Sequence, residues 1–253
     1  MARAVVLGSG TSNGVPTPGK QYPAEFLANP KNHRTRPSIV LCGAEGNVLV
    51  DCGPEVRLQL LREGIGDIEA CIITHTHADH IMGMDDLRCF SMKSGRAMPV
   101  YTSPEYQDDI RRVFGYAFEE YPPEIWVPRF DLRDVPAELE LCGLTITTFW
   151  VEHGPIPALG IRVNDFAYVT DVSAVPAAAM ALLGGLDTLI IDAVRRRPHP
   201  NHLHLERAIQ VAAEIGARQT YFTHLSDDYD HDRTNEELPE GVELAFDGLV
   251  IPL

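Results

Sequence analysis

Three histidines and an aspartate lie within six consecutive residues, directly after an apolar segment. The run is Thr74-His75-Thr76-His77-Ala78-Asp79-His80, and the apolar segment is Cys71-Ile72-Ile73. Side chains alternate along a strand, so His75 and His77 are predicted to point the same way. Asp79 and His80 follow the bend and can face a second ion, and imidazole and carboxylate groups suit zinc, manganese and iron. The spacing therefore predicts one loop that supplies ligands to two metal ions.

The length and composition fit a globular protein that folds as one large domain. The chain has 253 residues, 45% of them hydrophobic and 23% charged, and we expect a single domain over residues 1–253. No segment reaches the roughly 18 consecutive apolar residues of a membrane span. The first residues also lack the hydrophobic core of a signal peptide. We therefore expect a cytoplasmic protein without a membrane partner.

Charge and cysteine usage narrow the range of partners and cofactors. The formal net charge is −15, which would repel a nucleic acid unless a local basic patch intervened, so a small substrate is favoured. The five cysteines are an odd number and form no CxxC pair. This pattern indicates neither a disulfide framework nor a cysteine zinc site, and it predicts reduced, buried thiols.

Periodic and apolar runs predict a chain in which strands and helices alternate. Strands are predicted at 2–7, 38–42, 48–51, 70–74, 99–102, 139–151 with a break at Gly143, 161–163, 167–170, 188–192, 220–223 and 242–251. Helices are predicted at 55–63, 104–118, 176–183 and 204–215. A glycine-rich turn at 8–14 and a long loop at 15–37 separate the first two strands.

Several of the later predicted strands end in a lone residue that can bind metal. These residues are His153, Asp171 and His224. Strand ends at one edge of a layered α/β fold converge, and such folds bind ligands there. A single histidine of this kind is more often structural than a ligand. Together with the histidine run, however, four independent strand ends predict a common metal site.

At these residues the chain resembles a known family. The HxHxDH pattern at 75–80 and the order of the later residues resemble the metallo-β-lactamase superfamily, whose fold is a four-layer αββα sandwich. Within it the chain looks most like the PhnP-type phosphodiesterase branch, typified by the carbon–phosphorus lyase accessory protein, and more distantly like tRNase Z. Supporting stretches are Gly8-Ser9-Gly10-Thr11-Ser12, Asp51-Cys52-Gly53, 80–88, Tyr168-Val169-Thr170-Asp171, Asn201-His202, Thr223-His224-Leu225-Ser226 and Ala245-Phe246-Asp247-Gly248.

The resemblance implies a ligand set for two divalent ions, Mn²⁺ or Zn²⁺, with iron left open. The first ion would take His75, His77 and His153, the second would take Asp79, His80 and His224, and Asp171 would bridge them. The chain departs from the PhnP type in one respect. The stretch 19–26 has no cysteine, so the structural zinc loop often found there, and dimer contacts made through that loop, are in doubt. A homodimer is left open.

Other polar residues are candidates for catalysis and substrate binding. By the same resemblance His202 would be the general acid, and Asp192 at a strand end could orient it. Asp79 is a further candidate catalytic carboxylate. The run Arg195, Arg196 and Arg197 could bind phosphate, because guanidinium groups match phosphate oxygens, although a solvated surface run is an equal alternative. His199 and His204 are weaker candidates, and His33 and His231 are expected at the surface.

These residues predict a dinuclear metal-dependent phosphodiesterase acting on small, cyclic phosphodiesters of ribose or nucleotides. A hydroxide shared by the two ions would attack, and His202 would protonate the leaving group. A thiolester hydrolase of the glyoxalase II type shares the ligands and stays open. A tRNase Z-like nuclease is disfavoured because no long basic or Gly/Pro-rich insertion is present. A non-catalytic metal sensor is disfavoured by the seven-ligand set together with His202.

Overall fold

Two seven-stranded β-sheets form the centre of the computed structural model, which describes residues 2–122 and 124–253. The strands of the first sheet are β1 (Arg3–Gly8), β2 (Ser38–Cys42), β3 (Asn47–Val50), β4 (Ala70–Ile72), β5 (Met98–Thr102), β6 (Phe130–Asp134) and β14 (Val250–Pro252). The strands of the second are β7 (Glu138–Leu141), β8 (Leu144–His153), β9 (Ile156–Val163), β10 (Phe166–Val169), β11 (Thr188–Asp192), β12 (Gln219–Thr223) and β13 (Val242–Leu244). Their spatial orders are β14-β1-β2-β3-β4-β5-β6 and β13-β12-β11-β10-β9-β8-β7.

Eight α-helices accompany the sheets in the part of the chain that the structure describes. They are α1 (Ala24–Ala28), α2 (Val56–Arg62), α3 (Ala78–Ile81), α4 (Arg88–Ser94), α5 (Pro104–Val113), α6 (Ala177–Leu182), α7 (Leu205–Ile215) and α8 (His231–Glu237). None of the described helices is long and apolar enough to cross a membrane.

Three hydrophobic clusters show that the layers are helix, sheet, sheet and helix. The middle cluster joins residues of both sheets, such as Ile39 and Ile72 with Ile161 and Ile190. A second cluster packs the first sheet against helices α2, α4 and α5, and a third packs the second sheet against α6 and α7. Strands that are covered on both faces, such as β2 and β11, are buried along their whole length and largely apolar. The predicted αββα sandwich is confirmed.

Most predicted elements are found within a few residues, but four differ; one is β9, which begins at Ile156 rather than at residue 161. The strand predicted at 242–251 is two strands, β13 and β14, which lie at the edges of different sheets and are separated by a turn at Asp247 and Gly248. The helix predicted at 104–118 ends at Val113 and is followed by a 3-10 turn. The loop predicted at 15–37 contains α1 and a 3-10 turn at Pro30–Asn32.

Two predictions about exposure were wrong in part. His231 is 2% exposed rather than at the surface, because it begins α8 beneath Phe246, whereas His33 is exposed as expected. Of the five cysteines, Cys42, Cys52 and Cys71 are buried, while Cys142 is half-buried and Cys89 is exposed.

Candidate metal centre and active site

The HxHxDH run begins directly after β4 and bends into the short helix α3. Thr74 and His75 are buried, and Asp79 and His80 are buried within the first turns of α3, whereas His77 is exposed. Strand β8 ends at His153, Asp171 lies two residues after the end of β10, and His224 directly follows β12. One segment of the first sheet therefore meets three strand ends of the second.

The first cluster consists of His75, His77, His153 and one oxygen of Asp171. His77 Nδ1 lies 2.9 Å from His75 Nε2 and 3.2 Å from His153 Nε2. Asp171 Oδ1 lies 3.8 Å from His75 Nε2 and 3.7 Å from His153 Nε2. Two ligands that are each about 2.1 Å from a shared ion lie at most about 4.2 Å apart, so these distances suit a common ion.

The second cluster consists of Asp79, His80, His224 and the other oxygen of Asp171. Asp171 Oδ2 lies 3.2 Å from His80 Nε2 and 3.3 Å from His224 Nδ1. Asp79 Oδ2 lies 3.4 Å from His80 Nε2. Asp171 therefore turns one carboxylate oxygen to each cluster, which is the arrangement that a carboxylate shared between two ions requires.

Outer hydrogen bonds determine which ring nitrogen of each histidine faces the clusters. His80 Nδ1 donates to Asp51 Oδ2 at 2.7 Å, and His153 Nδ1 donates to the carbonyl oxygen of Asn201 at 2.8 Å. The Thr74 hydroxyl donates to Asp51, so it accepts from His75 Nδ1 at 3.1 Å. Each of these rings then turns Nε2, with its lone pair, towards the site, as metal-binding histidines do.

The electrostatics of the first cluster suit a cation. Burial lowers the pKa of His75 well below its usual value, and burial also lowers the pKa of His77 and of His153. Neutral rings in these orientations direct nitrogen lone pairs at one another. A cation bound between the rings would accept these lone pairs and remove their repulsion.

The electrostatics of the second cluster suit a cation for a different reason. Burial alone would lower the pKa of His80, but the charges of Asp171, Asp51 and Asp79 raise it well above its usual range. His80 Nε2 and His224 Nδ1 are buried without a hydrogen-bond partner among the described residues. A divalent cation would balance the same carboxylates and occupy both nitrogens, so these residues fit the metal ions that the sequence predicts.

Three residues of the site have a left-handed backbone conformation that residues other than glycine rarely adopt. The φ angles are 62° at Asp51, 52° at Asp171 and 58° at His224. Such strain persists only where the surrounding structure holds it, and it concentrates at functional sites. Asp51 was not among the predicted site residues, although it follows β3 directly, in the stretch Asp51-Cys52-Gly53. Its carboxylate also accepts from the Thr74 backbone N–H at 2.8 Å, so it orients the metal loop.

His202 lies over both clusters and is held by Asp192. Its Nδ1 donates to Asp192 Oδ2 at 2.8 Å, and its ring stacks on His224 with centroids 4.8 Å apart and 4.7 Å from the ring of His153. Burial alone would lower the pKa of His202, but the charge and hydrogen bond of Asp192 raise it. The structure therefore brings His202, Asp192 and all seven predicted ligands together.

The three consecutive arginines are in different environments near this site. Arg195 donates to the carbonyl oxygens of Arg197 and Pro198 at 3.2 and 2.7 Å, and so folds the loop before His202. Arg196 pairs with Glu237 at 2.8 Å and lies over the ring of Tyr229. Arg197 is exposed.

The two weaker histidine candidates lie in the same part of the chain. The His199 ring lies 4.8 Å from that of His202, and its Nδ1 accepts from the Asn201 backbone N–H at 3.1 Å. His204 is half-buried at the N-terminus of α7.

Residues 46–225 match the family described as "Beta-lactamase superfamily domain". The chain belongs to the β-lactamase superfamily. The PhnP-type resemblance is also confirmed. A solved structure of a diphosphatase from the PhnP family has a TM-score of 0.91 and 39% identity, with 99% of this chain and 97% of that chain covered.

Two proteins with similar sequences have different names. An octanoyltransferase from Porphyromonas gingivalis is 32% identical over 98% of this chain, but the chain spans only 51% of that protein. A ribonuclease Z from Mycobacterium sp. (strain KMS) is 25% identical, with 77% of this chain and 79% of that one covered. Superfamily membership gives this protein a metallohydrolase fold, and the substrate has to be argued from the site.

Proposed function

We propose that this protein is a phosphodiesterase that uses two divalent metal ions to hydrolyse small phosphodiesters, with cyclic phosphates of ribose or nucleotides as the preferred class. One observation carries the proposal: Asp171 faces both histidine clusters, and His202 lies over them in contact with Asp192. The similarity to a PhnP-family diphosphatase supports this reaction class, because hydrolysis of a diphosphate and of a phosphodiester both break a P–O bond.

The proposed ligands divide between the two clusters. One ion would bind His75, His77 and His153, the other would bind Asp79, His80 and His224, and Asp171 would contact both. Two bound divalent cations lower the pKa of water to about 7 and neutralise charge on phosphoryl oxygens. The ligand side chains other than His77 are buried. Outer hydrogen bonds to Thr74, Asp51 and Asn201 fix the orientation of His75, His80 and His153 before substrate binds. Imidazole and carboxylate donors favour Mn²⁺, Zn²⁺ or iron alike.

His202 is the proposed general acid. Because Nδ1 donates to Asp192, the proton that His202 can give is on Nε2, the nitrogen on the opposite edge of the ring. Its raised pKa keeps the ring protonated over a wider pH range, which is the state that protonates a departing alkoxide. Asp192 would orient the ring and stabilise its charge without touching the substrate.

A small substrate agrees with the charge of the protein. With a net charge of −15, a polyanionic RNA would be repelled over most of the surface, whereas a single phosphodiester would meet only the local charge of the metal site. Among the proposed phosphate-binding arginines, Arg195 and Arg196 already bond to the protein. Arg197 has no side-chain hydrogen bond or ion pair within residues 2–122 and 124–253, and it remains the candidate.

A substrate panel on the purified protein of known metal content tests this proposal. The panel contains bis(p-nitrophenyl) phosphate, 2′,3′-cyclic nucleotides, ribose cyclic phosphates, a precursor tRNA, a glutathione thiolester and a cephalosporin. We expect the highest kcat/KM for a small phosphodiester. A thiolester turned over far faster than any phosphodiester would contradict the proposal, and preferential cleavage of the tRNA would indicate an RNA-processing nuclease instead.

The variant His202→Ala separates an enzyme from a metal-binding scaffold. We expect it to retain both ions, because none of the ligands is removed, and to lose about 10²–10⁴-fold in kcat on alkyl phosphodiesters. The loss should be much smaller on bis(p-nitrophenyl) phosphate, since p-nitrophenolate leaves without needing a proton. Wild-type turnover of both substrates by the variant would remove His202 from the mechanism.

A further inference from the structure

Helix α5 contacts both chain segments that supply histidines to the first cluster. The Thr76 hydroxyl, between His75 and His77 in the sequence, donates to Asp109 Oδ2 at 2.7 Å. One turn earlier in the helix, the Tyr106 hydroxyl donates to the carbonyl oxygen of Pro157. Pro157 is in β9, opposite the residue that precedes His153 in β8. A single helix thus bonds to a segment of each sheet.

The N-terminus of α5 is fixed by a helix cap and by hydrogen bonds to neighbouring segments of the chain. Ser103 caps it, with its hydroxyl oxygen accepting from the Tyr106 backbone N–H at 3.4 Å, and Pro104 occupies the first turn. The Thr102 hydroxyl, directly before the cap, donates to the carbonyl oxygen of Ile73 at 3.0 Å. Tyr106 and Ile110 are buried. The start of α5 is therefore fixed to the strand that leads into the metal loop.

The segment between His75 and His77 is bonded to α5 through Thr76. The Thr76 hydroxyl bonds to Asp109 on α5, and Thr76 is not itself one of the candidate ligands. The neighbouring His77 is exposed, and among residues 2–122 and 124–253 its Nδ1 has only His75 and His153 as partners. By contrast, His75 and His153 are held by outer hydrogen bonds. The Thr76–Asp109 bond is thus the contact that fixes the backbone between the first two ligands.

We propose that Thr76, Asp109 and Tyr106 are positioning residues that set the spacing of His75, His77 and His153, and so the affinity of the first of the two metal sites. The inference rests on the proposed metal centre, but it concerns residues outside the ligand set. The second site takes its ligands from α3, from the residue after β12 and from the shared Asp171. None of its ligands bonds to α5 among the described residues, so that site should not depend on the helix.

The experiment measures the affinity of each of the two ions by competition with a chelator, using Zn²⁺ and Mn²⁺ separately. Removing the support with Thr76→Val, Asp109→Ala or Tyr106→Phe should weaken one ion by about 10–100-fold, the usual effect of losing an outer hydrogen bond in a metal site. The other ion should keep its wild-type affinity. Thr76→Ser retains the hydroxyl and should behave like the wild type.

Arg112→Ala is the matched control for the helix. Arg112 pairs with Asp109 Oδ1 at 2.7 Å, on the oxygen that Thr76 does not use, and its own side chain is largely exposed. This variant should bind both ions within about twofold of the wild type, since exposed ion pairs contribute little. The unfolding temperature of each metal-free variant shows whether a change in affinity comes from the site or from loss of the fold.

Unchanged affinity in Thr76→Val and Asp109→Ala would overturn the inference. So would equal weakening of both ions, or weakening that follows a lower unfolding temperature of the metal-free protein, since both indicate a general loss of structure. If the wild type itself binds no ions, the proposed function fails. If it binds two and the variants match it, only the role of α5 fails.

Discussion

The hydrogen bond between His202 and Asp192 gives the candidate general acid both its orientation and its charge. The protonated form is the active one, so activity should fall as pH rises through the pKa of His202. Asp192→Asn removes the charge that raises this pKa, while the side chain can still accept from the Val172 backbone N–H. We expect the alkaline limb of the kcat profile to move to lower pH with both metal ions retained. An unshifted limb would exclude His202 as the titrating acid.

His231 should make the folded state sensitive to mild acid. Burial, together with the positive charges of Lys31 and Arg34, lowers its pKa from 6.5 to about 4. The unfolded chain therefore takes up a proton at a pH where the folded chain does not, so stability falls as pH drops from about 6.5 to 4. The full effect is about 3 kcal/mol.

The variant His231→Gln tests this effect because it cannot take up the proton. Its side-chain oxygen can still accept from Asn235 Nδ2, which bonds to His231 Nε2 at 3.1 Å. We expect the difference in the free energy of unfolding between variant and wild type to shift in favour of the variant as pH falls through this window. Denaturant titrations at several pH values measure it, and a constant difference would contradict the prediction.

Among single residues, the sequence predicts the metal ligands, because their side-chain chemistry and spacing are visible in it. It does not predict residues whose role depends on tertiary contacts. His75, His77, Asp79 and His80 lie close together in sequence, and that spacing suffices to predict a shared loop. Asp51 is distant from the run, and its role depends on a left-handed backbone and on hydrogen bonds from the Thr74 N–H, the Thr74 hydroxyl and the His80 ring. The burial of His231 likewise depends on Phe246, a tertiary neighbour that no local pattern indicates.

Among the elements, the turn after α3 depends on close backbone approach. A Cβ atom at Gly83 would overlap the carbonyl oxygen of Gly53 and contact Val56, while the Gly83 N–H donates to the Cys52 carbonyl oxygen at 2.8 Å. The backbone on both sides is held, so it cannot move aside easily. Gly83→Ala should therefore destabilise the protein by about 1–3 kcal/mol, the range for overpacking.

Gly66→Ala provides the control for this substitution. No atom lies within 4 Å of a Cβ at that exposed position, and its φ is not in the left-handed range. We expect this variant to be unchanged or slightly more stable, because alanine restricts the unfolded chain. Chemical denaturation of both variants gives the comparison. Equal stability of the two would show that the turn can relax.

The elements that were predicted well are those whose ends are determined by the local sequence pattern rather than by contacts with distant residues. β2, β3, β11 and α7 have apolar or amphipathic patterns that match their length, and they occur within one or two residues of the predicted bounds. Residues 242–251 read as one strand because β13 and β14 are both rich in aliphatic residues. Asp247 breaks them apart by accepting from Ser9 and Thr35, partners more than 200 positions away. Such a break cannot be predicted from a local window.

In the whole molecule, the metal centre lies between the two sheets. His75, His77, Asp79 and His80 follow a strand of the first sheet, whereas His153 ends a strand of the second and Asp171 and His224 follow two others. The order of these residues along the chain was enough to predict the αββα fold, because it matches the family pattern. The direct contacts between the sheets, such as the bond of 3.1 Å from the Leu159 N–H to the Thr74 carbonyl oxygen, could not be predicted that way.

Bound ions should therefore link the two sheets and stabilise the fold. Removing them with a chelator should lower the free energy of unfolding by about 4 kcal/mol for each ion, relative to protein with free metal at 1,000 times the Kd of that site. Amide hydrogen exchange should rise most at residues 74–80 and 220–224, since these segments carry ligands to the centre from the two sheets. Asp171→Ala, which removes the shared ligand, should show a much smaller effect of the chelator in both measurements. An unfolding temperature that is the same with and without metal would mean that the inter-sheet core alone holds the sheets together.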